Sequence, residues 1–375
     1  MWLTKNPIII CKLFGLAPFS EKRTVQLILI IYSYLLSLTL VITYIFTFSL
    51  EIEDNGRVLS NVASSILFAS QVLAHLVNLI ESSNKQLSQT QFFVKIKEFD
   101  DLFRLELHYR VNTQNIEKKL IRKYFVVAII IIFCYLVNMY SVSTHLYFYG
   151  GFASVATLRI RFVQEEVYLE LLNARFDILS TKLQQIIISK DGKNCGFLDM
   201  NYELIGHPKK LMLLKESFTK LYEAVEYFNN SFGLSLLFSI SSYFLDFTCN
   251  SYWLLLTMDN KRPYYMLCDY STTLIQLWLQ LSMICRTCDK CSEYGIRTKN
   301  LLQKLFRVLK HGKAKASLEQ FFLHVYLRPI SIHATYFFKI NLVLLGAILS
   351  SIISSLVILI QFLVIEDEMF KIQVN

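Results

Sequence analysis

The chain is 375 residues long, 54% hydrophobic by count and only 18% charged. Soluble domains carry about 25% charged residues, so this composition argues against a soluble globular protein and for one embedded in a membrane. The net charge of +9 then reads as the Lys/Arg excess of cytoplasmic loops, and no nucleic-acid partner is implied.

Residues 1–24 carry Lys5, Lys12, Lys22 and Arg23 and read as a cytoplasmic N-terminus. Their apolar run is broken and no small-residue cleavage site follows, so a removable signal peptide is not expected. Seven segments downstream are long and apolar enough to cross a bilayer: 25–50, 59–80, 124–146, 147–168, 229–256, 264–285 and 342–365. The fourth is the weakest, because it runs into Arg159, Arg161, Glu165 and Glu166. Residues 321–341 are apolar and aromatic but interrupted by Arg328, Pro329 and Lys339; they read as a cytoplasmic helix or a half-span leading into the last one.

The charges sort by side. Loop 82–123 holds nine Lys/Arg, and loop 286–330 holds ten against three acids. The opposite loops are short: 51–58 has Glu51, Glu53 and Asp54 against Arg57, and the chain ends beyond Glu366-Asp367-Glu368 with one Lys371. Positive residues stay in the cytoplasm. The expected fold is therefore an all-α membrane protein with seven transmembrane helices, a cytoplasmic N-terminus and an extracellular C-terminus. Residues 165–190 and 296–310 keep a helical period without Pro, so long cytoplasmic helical extensions are expected as well. The domain reading is a cytoplasmic N-terminus at 1–24, spans one to six with their extensions at 25–285, a cytoplasmic segment at 286–341, the last span at 342–365 and an extracellular tail at 366–375.

Intramembrane polar groups mark candidate binding residues. Asp246 lies in the outer half of the fifth span, and Asp269 enters the sixth from the same side. Gln71 and His75 are four apart on one face of the second span, and His145 ends the third. Tyr149, Tyr243 and Trp278 lie near the same level, where aromatic walls with a few polar groups suit a small-molecule pocket. Aromatic residues also form belts at the membrane interface, which is the alternative for each of them.

Cys285-x-x-Cys288-x-x-Cys291 leaves three readings: a metal site lacking a fourth ligand, palmitoylation at the membrane edge, or inert thiols. No outer loop carries a spaced pair among the eight cysteines, so no disulfide framework is expected. No Gly-rich phosphate loop, nucleophile elbow or His-Glu metal helix is present in the sequence, so neither an enzyme nor a cofactor is expected.

The last span combines an uncharged apolar run with a polar stripe. Ala347, Ser351, Ser354, Ile358, Gln361 and Ile365 follow a 4, 3, 4, 3, 4 spacing and share one helix face. Such a stripe faces protein or water rather than lipid. Close helix packing and contact with water both account for the serines, and a helix–helix hydrogen bond is one reading of Gln361.

Three short segments carry a resemblance to the insect gustatory receptor family. Leu356 to Ile360 followed by Gln361-Phe362 resembles the family's C-terminal signature of Thr-Tyr, five apolar residues and Gln-Phe, with Ser354-Ser355 in the Thr-Tyr positions. Phe337-Phe338-Lys339-Ile340-Asn341 resembles the aromatic run before its last span, and Gly15-Leu16-Ala17-Pro18-Phe19 a short N-terminal segment. The resemblance implies a ligand-gated, non-selective cation channel in the plasma membrane of sensory neurons, gated by a small-molecule tastant. It also implies a homo- or hetero-tetramer with other receptor subunits, cytoplasmic helices packed into an anchor, and a ligand pocket in each subunit's outer half. On that reading Gln361, Phe362, Ile358, Ser354 and Ser351 line the pore, and Glu366, Asp367 and Glu368 ring its outer mouth. An odorant-type receptor subunit, or a seven-span receptor signalling through a cytoplasmic partner without conducting, are the alternatives.

Overall fold

The computed structural model describes residues 11–12, 14–16, 23–51, 58–105, 146–188, 208–259, 264–308 and 313–374, with scattered positions between 118 and 137. Among these residues the chain is almost wholly helical. The helices are α1 (Arg23–Glu51), α2 (Val58–Asn84), α3 (Gln86–Leu105), α4 (Leu146–Ile188), α5 (Pro208–Asp259), α6 (Tyr264–Val308), α7 (Lys313–Leu327) and α8 (Leu342–Val374). A two-stranded hairpin, β1 (His333–Ala334) and β2 (Phe338–Lys339), joins α7 to α8. The expected third span, 124–146, lies largely outside the described residues, and His145 lies outside them as well.

Helix length separates the membrane part from the rest. At 1.5 Å per residue, the 52 residues of α5 reach roughly 78 Å, far beyond the ~30 Å hydrocarbon core. The 43 residues of α4 and the 45 of α6 likewise exceed a bilayer. The expected spans 229–256 and 264–285 are thus sections of longer helices. Four helical segments are apolar enough to cross by composition: Thr24–Phe46, Val62–Asn84, a stretch within Lys209–Met258, and Leu342–Ile365. The candidate spans at 147–168 and 264–285 carry more polar residues, and several of these, Arg159, Arg161, Gln276 and Gln280 among them, are buried inside the bundle.

α5 is the central column and packs against α2, α3, α4, α6, α7, α8 and β1. Its charged half shares an aromatic core with α3 and α4, in which Phe92 stacks on Tyr168 at 5.3 Å and Phe228 on Phe232 at 4.8 Å. Ion pairs brace the rim of this core: Lys95 to Glu223 at 3.0 Å, Lys220 to Glu98 at 2.9 Å, and Arg175 bidentate to Asp100. α1, by contrast, leaves Leu27, Ile28, Leu35, Leu38, Ile42 and Ile45 exposed, the surface expected of a helix bathed in lipid.

The Gly15-Leu16 segment closes a helical turn and plugs it into the bundle. Leu16 N donates to Cys11 O at 2.8 Å and Gly15 N to Lys12 O at 3.1 Å, the paired bonds of a Schellman cap. Gly15 takes the left-handed φ of +72° that this cap requires. Its carbonyl accepts from Ser33 Oγ at 3.1 Å, and Leu16 is fully buried with Leu79. A Cβ at position 15 would lie 3.0 Å from Leu79 Cδ2. Gly15→Ala is therefore expected to cost about 1–2 kcal/mol, read as a lowered midpoint in thermal unfolding of the detergent-solubilised protein.

The region 321–341 departs from its expected helix or half-span. The helix stops at Leu327, just before Arg328-Pro329, and the chain reverses through the hairpin. Phe337 N donates to Ala334 O at 2.9 Å, closing a turn whose central residues Thr335 and Tyr336 have φ of 47° and 64°. Both are the positive values of a type I′ turn, normally supplied by Asn or Gly. Tertiary contacts hold it: Asn229 on α5 donates to Ser331 O and accepts from His333 N, and a Cβ at Gly233 would lie 3.1 Å from Thr335 N. Asn341 then caps α8, its Oδ1 accepting from Leu344 N at 2.9 Å.

Candidate functional site

Arg159 on α4 gathers four helices around one buried polar centre. Its Nη1 donates to Gln280 Oε1 on α6 at 3.0 Å and its Nη2 to Asp246 Oδ2 on α5 at 3.4 Å. The guanidinium lies 4.4 Å from the Tyr243 ring centroid, and Tyr243 donates its hydroxyl to the same Gln280 oxygen at 2.5 Å. Asp246 also accepts from Asn250 at 2.7 Å, with the Gln71 carboxamide of α2 beside it. A carboxylate inside a bundle is tolerated when it is paired and hydrogen-bonded, and Asp246 is both.

Three of the expected pocket residues, Gln71, Tyr243 and Asp246, thus meet at one level. His75 lies one turn along α2 from Gln71, with Nδ1 3.2 Å from Ser154 Oγ on α4. Asp269 is half-buried on α6, eleven residues before Gln280 and so roughly 16 Å away along the helix. Trp278 is 39% exposed and turns outward where Gln280 turns in. Tyr149 falls within α4, but its side chain is outside the described residues. Arg159 and Gln280, which complete the centre, were not among the expected residues. A guanidinium, a carboxylate and three carboxamides beside the Tyr243 ring could bind a small molecule with polar and apolar parts.

Two residues further along α4, about 200° around the helix, Arg161 makes a second junction. It is fully buried. Nε donates to Ser235 Oγ on α5 at 2.9 Å, and Nη1 donates to Ser82 Oγ on α2 and Gln164 Oε1, both at 3.0 Å. The carboxylates of Glu165 and Glu81 lie 3.4 and 3.8 Å from the guanidinium, which also sits 4.4 Å from the Phe232 ring centroid. Glu81 in turn accepts from the backbone N of Leu234 and Ser235 at 3.1 and 2.7 Å. Ser235 Oγ completes the network by donating to Asn78 Oδ1.

α8 shows its polar stripe outward. Leu345, Ile348 and Ile352 are buried on the side that meets α5 and α6. Ala347, Ser351, Ser354, Ile358, Gln361 and Phe362 are all exposed in the isolated chain. Ser354 Oγ donates to Ser350 O at 3.0 Å and so offers its lone pairs to whatever the stripe faces. The helix does not end with the apolar run but continues to Val374, so Glu366, Asp367 and Glu368 belong to it, their side chains lying outside the described residues.

The cysteine triplet has no exposed sulfur. Cys285, Cys288 and Cys291 are completely buried, and burial pushes the Cys291 thiol up to about 12. Protonated, enclosed thiols are packing groups rather than acylation targets, which argues against the palmitoylation reading.

The chain matches the family model of the 7tm chemosensory receptors over residues 8–364. Gustatory receptor 39b of Drosophila melanogaster is 27% identical over 221 residues, which are 58% of this chain and 60% of that protein. Gustatory receptor 23a of the same species is 25% identical over 232 residues, 60% of this chain and 61% of that one. The chain therefore spans less than two thirds of these two relatives in the matched stretches. In fold it is similar to the insect olfactory receptor OR5 from Machilis hrabei in complex with eugenol, with a TM-score of 0.66 at 13% identity, covering 96% of this chain and 98% of that one.

Proposed function

This chain belongs to the 7tm chemosensory receptor family, and we propose that it is a gustatory receptor of insect type that conducts cations itself when a small-molecule tastant binds. Four copies assemble around a central axis, and α8 of each lines the pore. Seven spans carry the chain across the plasma membrane of a sensory neuron, with the N-terminus in the cytoplasm and the C-terminus outside.

One observation carries this reading: in the isolated chain the small and polar stripe of α8 is exposed, while its opposite face packs on α5 and α6. Serines and a carboxamide are costly against lipid but suited to a hydrated pore or a subunit contact. In the pore, Gln361 replaces part of a cation's hydration without the field of a carboxylate, which suits weak selectivity. Ser351 and Ser354 wet the wall, Ile358 and Phe362 narrow it, and Glu366, Asp367 and Glu368 draw cations to the outer mouth.

The ligand site is the centre formed by Arg159, Gln71, Tyr243, Asp246 and Gln280, with His75 one turn below. A ligand that competes for those hydrogen bonds shifts α2, α4, α5 and α6 relative to one another. α8 packs on two of these helices, so a ligand that binds the open packing better biases the pore toward opening. Current recording from cells that express the chain tests conduction directly. Orientation is tested by epitope tags on intact cells: the C-terminal tag is expected to bind antibody and the N-terminal tag only after permeabilisation. The reverse labelling would overturn the topology.

A further inference from the structure

A cavity of about 680 Å³ opens where α2 and α5 meet the hairpin turn, lined by Glu81, Asn84, Lys85, Glu226, Asn230 and Tyr336 among others. Its level is marked by the charge pattern of both helices. α2 carries no Asp, Glu, Lys or Arg from Val58 until Glu81, and α5 carries none between Glu226 and Asp246. The cavity therefore sits where each helix passes from an apolar to a charged surface, the position of a membrane–water boundary. On the apolar side, Ile66, Leu73 and Ile80 are exposed at seven-residue intervals and form a stripe on α2 that ends at the cavity, and Leu234 is exposed beside it on α5.

The lining carries two acids, Glu81 and Glu226, and one base, Lys85. Glu81 is already engaged by Arg161 and two backbone N–H groups. Lys85 donates to Asn230 Oδ1 at 2.9 Å, and Glu226, one turn before Asn230 on α5, is exposed next to Tyr227, with Tyr336 on the turn. A polyanionic headgroup needs a cluster of Lys and Arg, whereas this lining carries Lys85 alone. A zwitterion matches it: phosphate at Lys85 and Asn230, ammonium at Glu226 with the Tyr336 ring.

We propose that this cavity binds the headgroup of a zwitterionic phospholipid, whose acyl chains lie along the Ile66, Leu73 and Ile80 stripe. The proposal rests on the membrane reading of α2 and α5 and is independent of whether the chain conducts. A bound lipid would touch the hairpin turn six residues before α8 begins and tie that turn to α2 and α5.

The test is native mass spectrometry of the full chain purified in mild detergent, with phosphatidylethanolamine, phosphatidylglycerol or soluble phosphoethanolamine added. Phosphatidylethanolamine is expected to be retained over phosphatidylglycerol, and Lys85→Glu or Glu226→Lys to lower retention about tenfold, the scale of one charge-assisted hydrogen bond. Both side chains are at the surface, so thermal unfolding should not change; should a reversal unfold the chain, Lys85→Gln and Glu226→Gln read the same loss. Equal retention of phosphatidylglycerol, or retention unaffected in the folded variants, would overturn the site. Displacement by an equal concentration of soluble phosphoethanolamine would overturn the lipid as its occupant.

Discussion

Replacing Arg161 with alanine is expected to destabilise the protein by about 3–5 kcal/mol and to abolish its delivery to the cell surface. The guanidinium is fully buried and links α4 to α2 and α5 through Ser82, Gln164 and Ser235. Its removal leaves Glu81 and Glu165 enclosed without their cation and strips acceptors on three helices of a donor. Arg161→Lys keeps the charge but not the planar fork, so it should be partly destabilised. Neutralising both acids in the Arg161→Met background, with Glu81→Gln and Glu165→Gln, should recover much of the loss. Thermal unfolding in detergent with surface biotinylation measures all three. An Arg161→Ala protein within about 1 kcal/mol of the parent would contradict the network's role.

The second large effect is expected at Gln361. Gln361→Arg should suppress cation current by about tenfold or more, because a ring of guanidinium groups in a narrow pore repels cations. Gln361→Glu should instead raise the relative permeability of divalent cations, since carboxylates bind them more strongly than carboxamides do. Gln361→Ala should change selectivity without loss of folding, as this side chain is exposed in the isolated chain. If Gln361 made only a helix–helix hydrogen bond, the three variants would differ in assembly or stability and share the parent's ion selectivity.

Hydropathy located the membrane helices closely where a helix is apolar on most sides. Expected spans 25–50 and 59–80 correspond to Arg23–Glu51 and Val58–Asn84, and the start at 342 coincides with the first residue of α8. It failed to mark how far α4, α5 and α6 extend beyond the bilayer, since helical period alone carries that information and charge does not interrupt a helix. Arg159 and Arg161 looked like evidence against a span; in the fold they are what joins α4 to its neighbours. Their partners Asp246 and Glu81 are eighty or more residues away, and pairing at that distance leaves no local spacing to read. The hairpin was hidden for a different reason. Thr335 and Tyr336 occupy a turn that local preference assigns to Asn and Gly, and Asn229 and Gly233 on α5 hold it there. The motif residues near both ends do have local explanations: Gly15 supplies the left-handed cap residue and Asn341 caps α8.

The candidate site was legible in part. Gln71, Tyr243 and Asp246 were identifiable as intramembrane polar and aromatic groups, because each is out of place in lipid. Trp278 obeyed the same rule but faces outward, which a periodicity argument from Gln276 and Gln280 could have signalled, both being buried two residues to either side. The stripe on α8 was fully legible from its spacing, yet what packs against it, a subunit contact or pore on the proposed reading, leaves no local signal in the sequence.

Current across a planar bilayer containing only the purified protein tests the central claim most directly. Addition of sugars, alkaloids or phenolic compounds should evoke discrete cation-conducting openings for at least one ligand class, and Gln361→Arg should remove them while ligand binding persists. A folded protein that binds a ligand yet passes no current, or passes current indifferent to Gln361→Arg, would contradict a pore lined by α8.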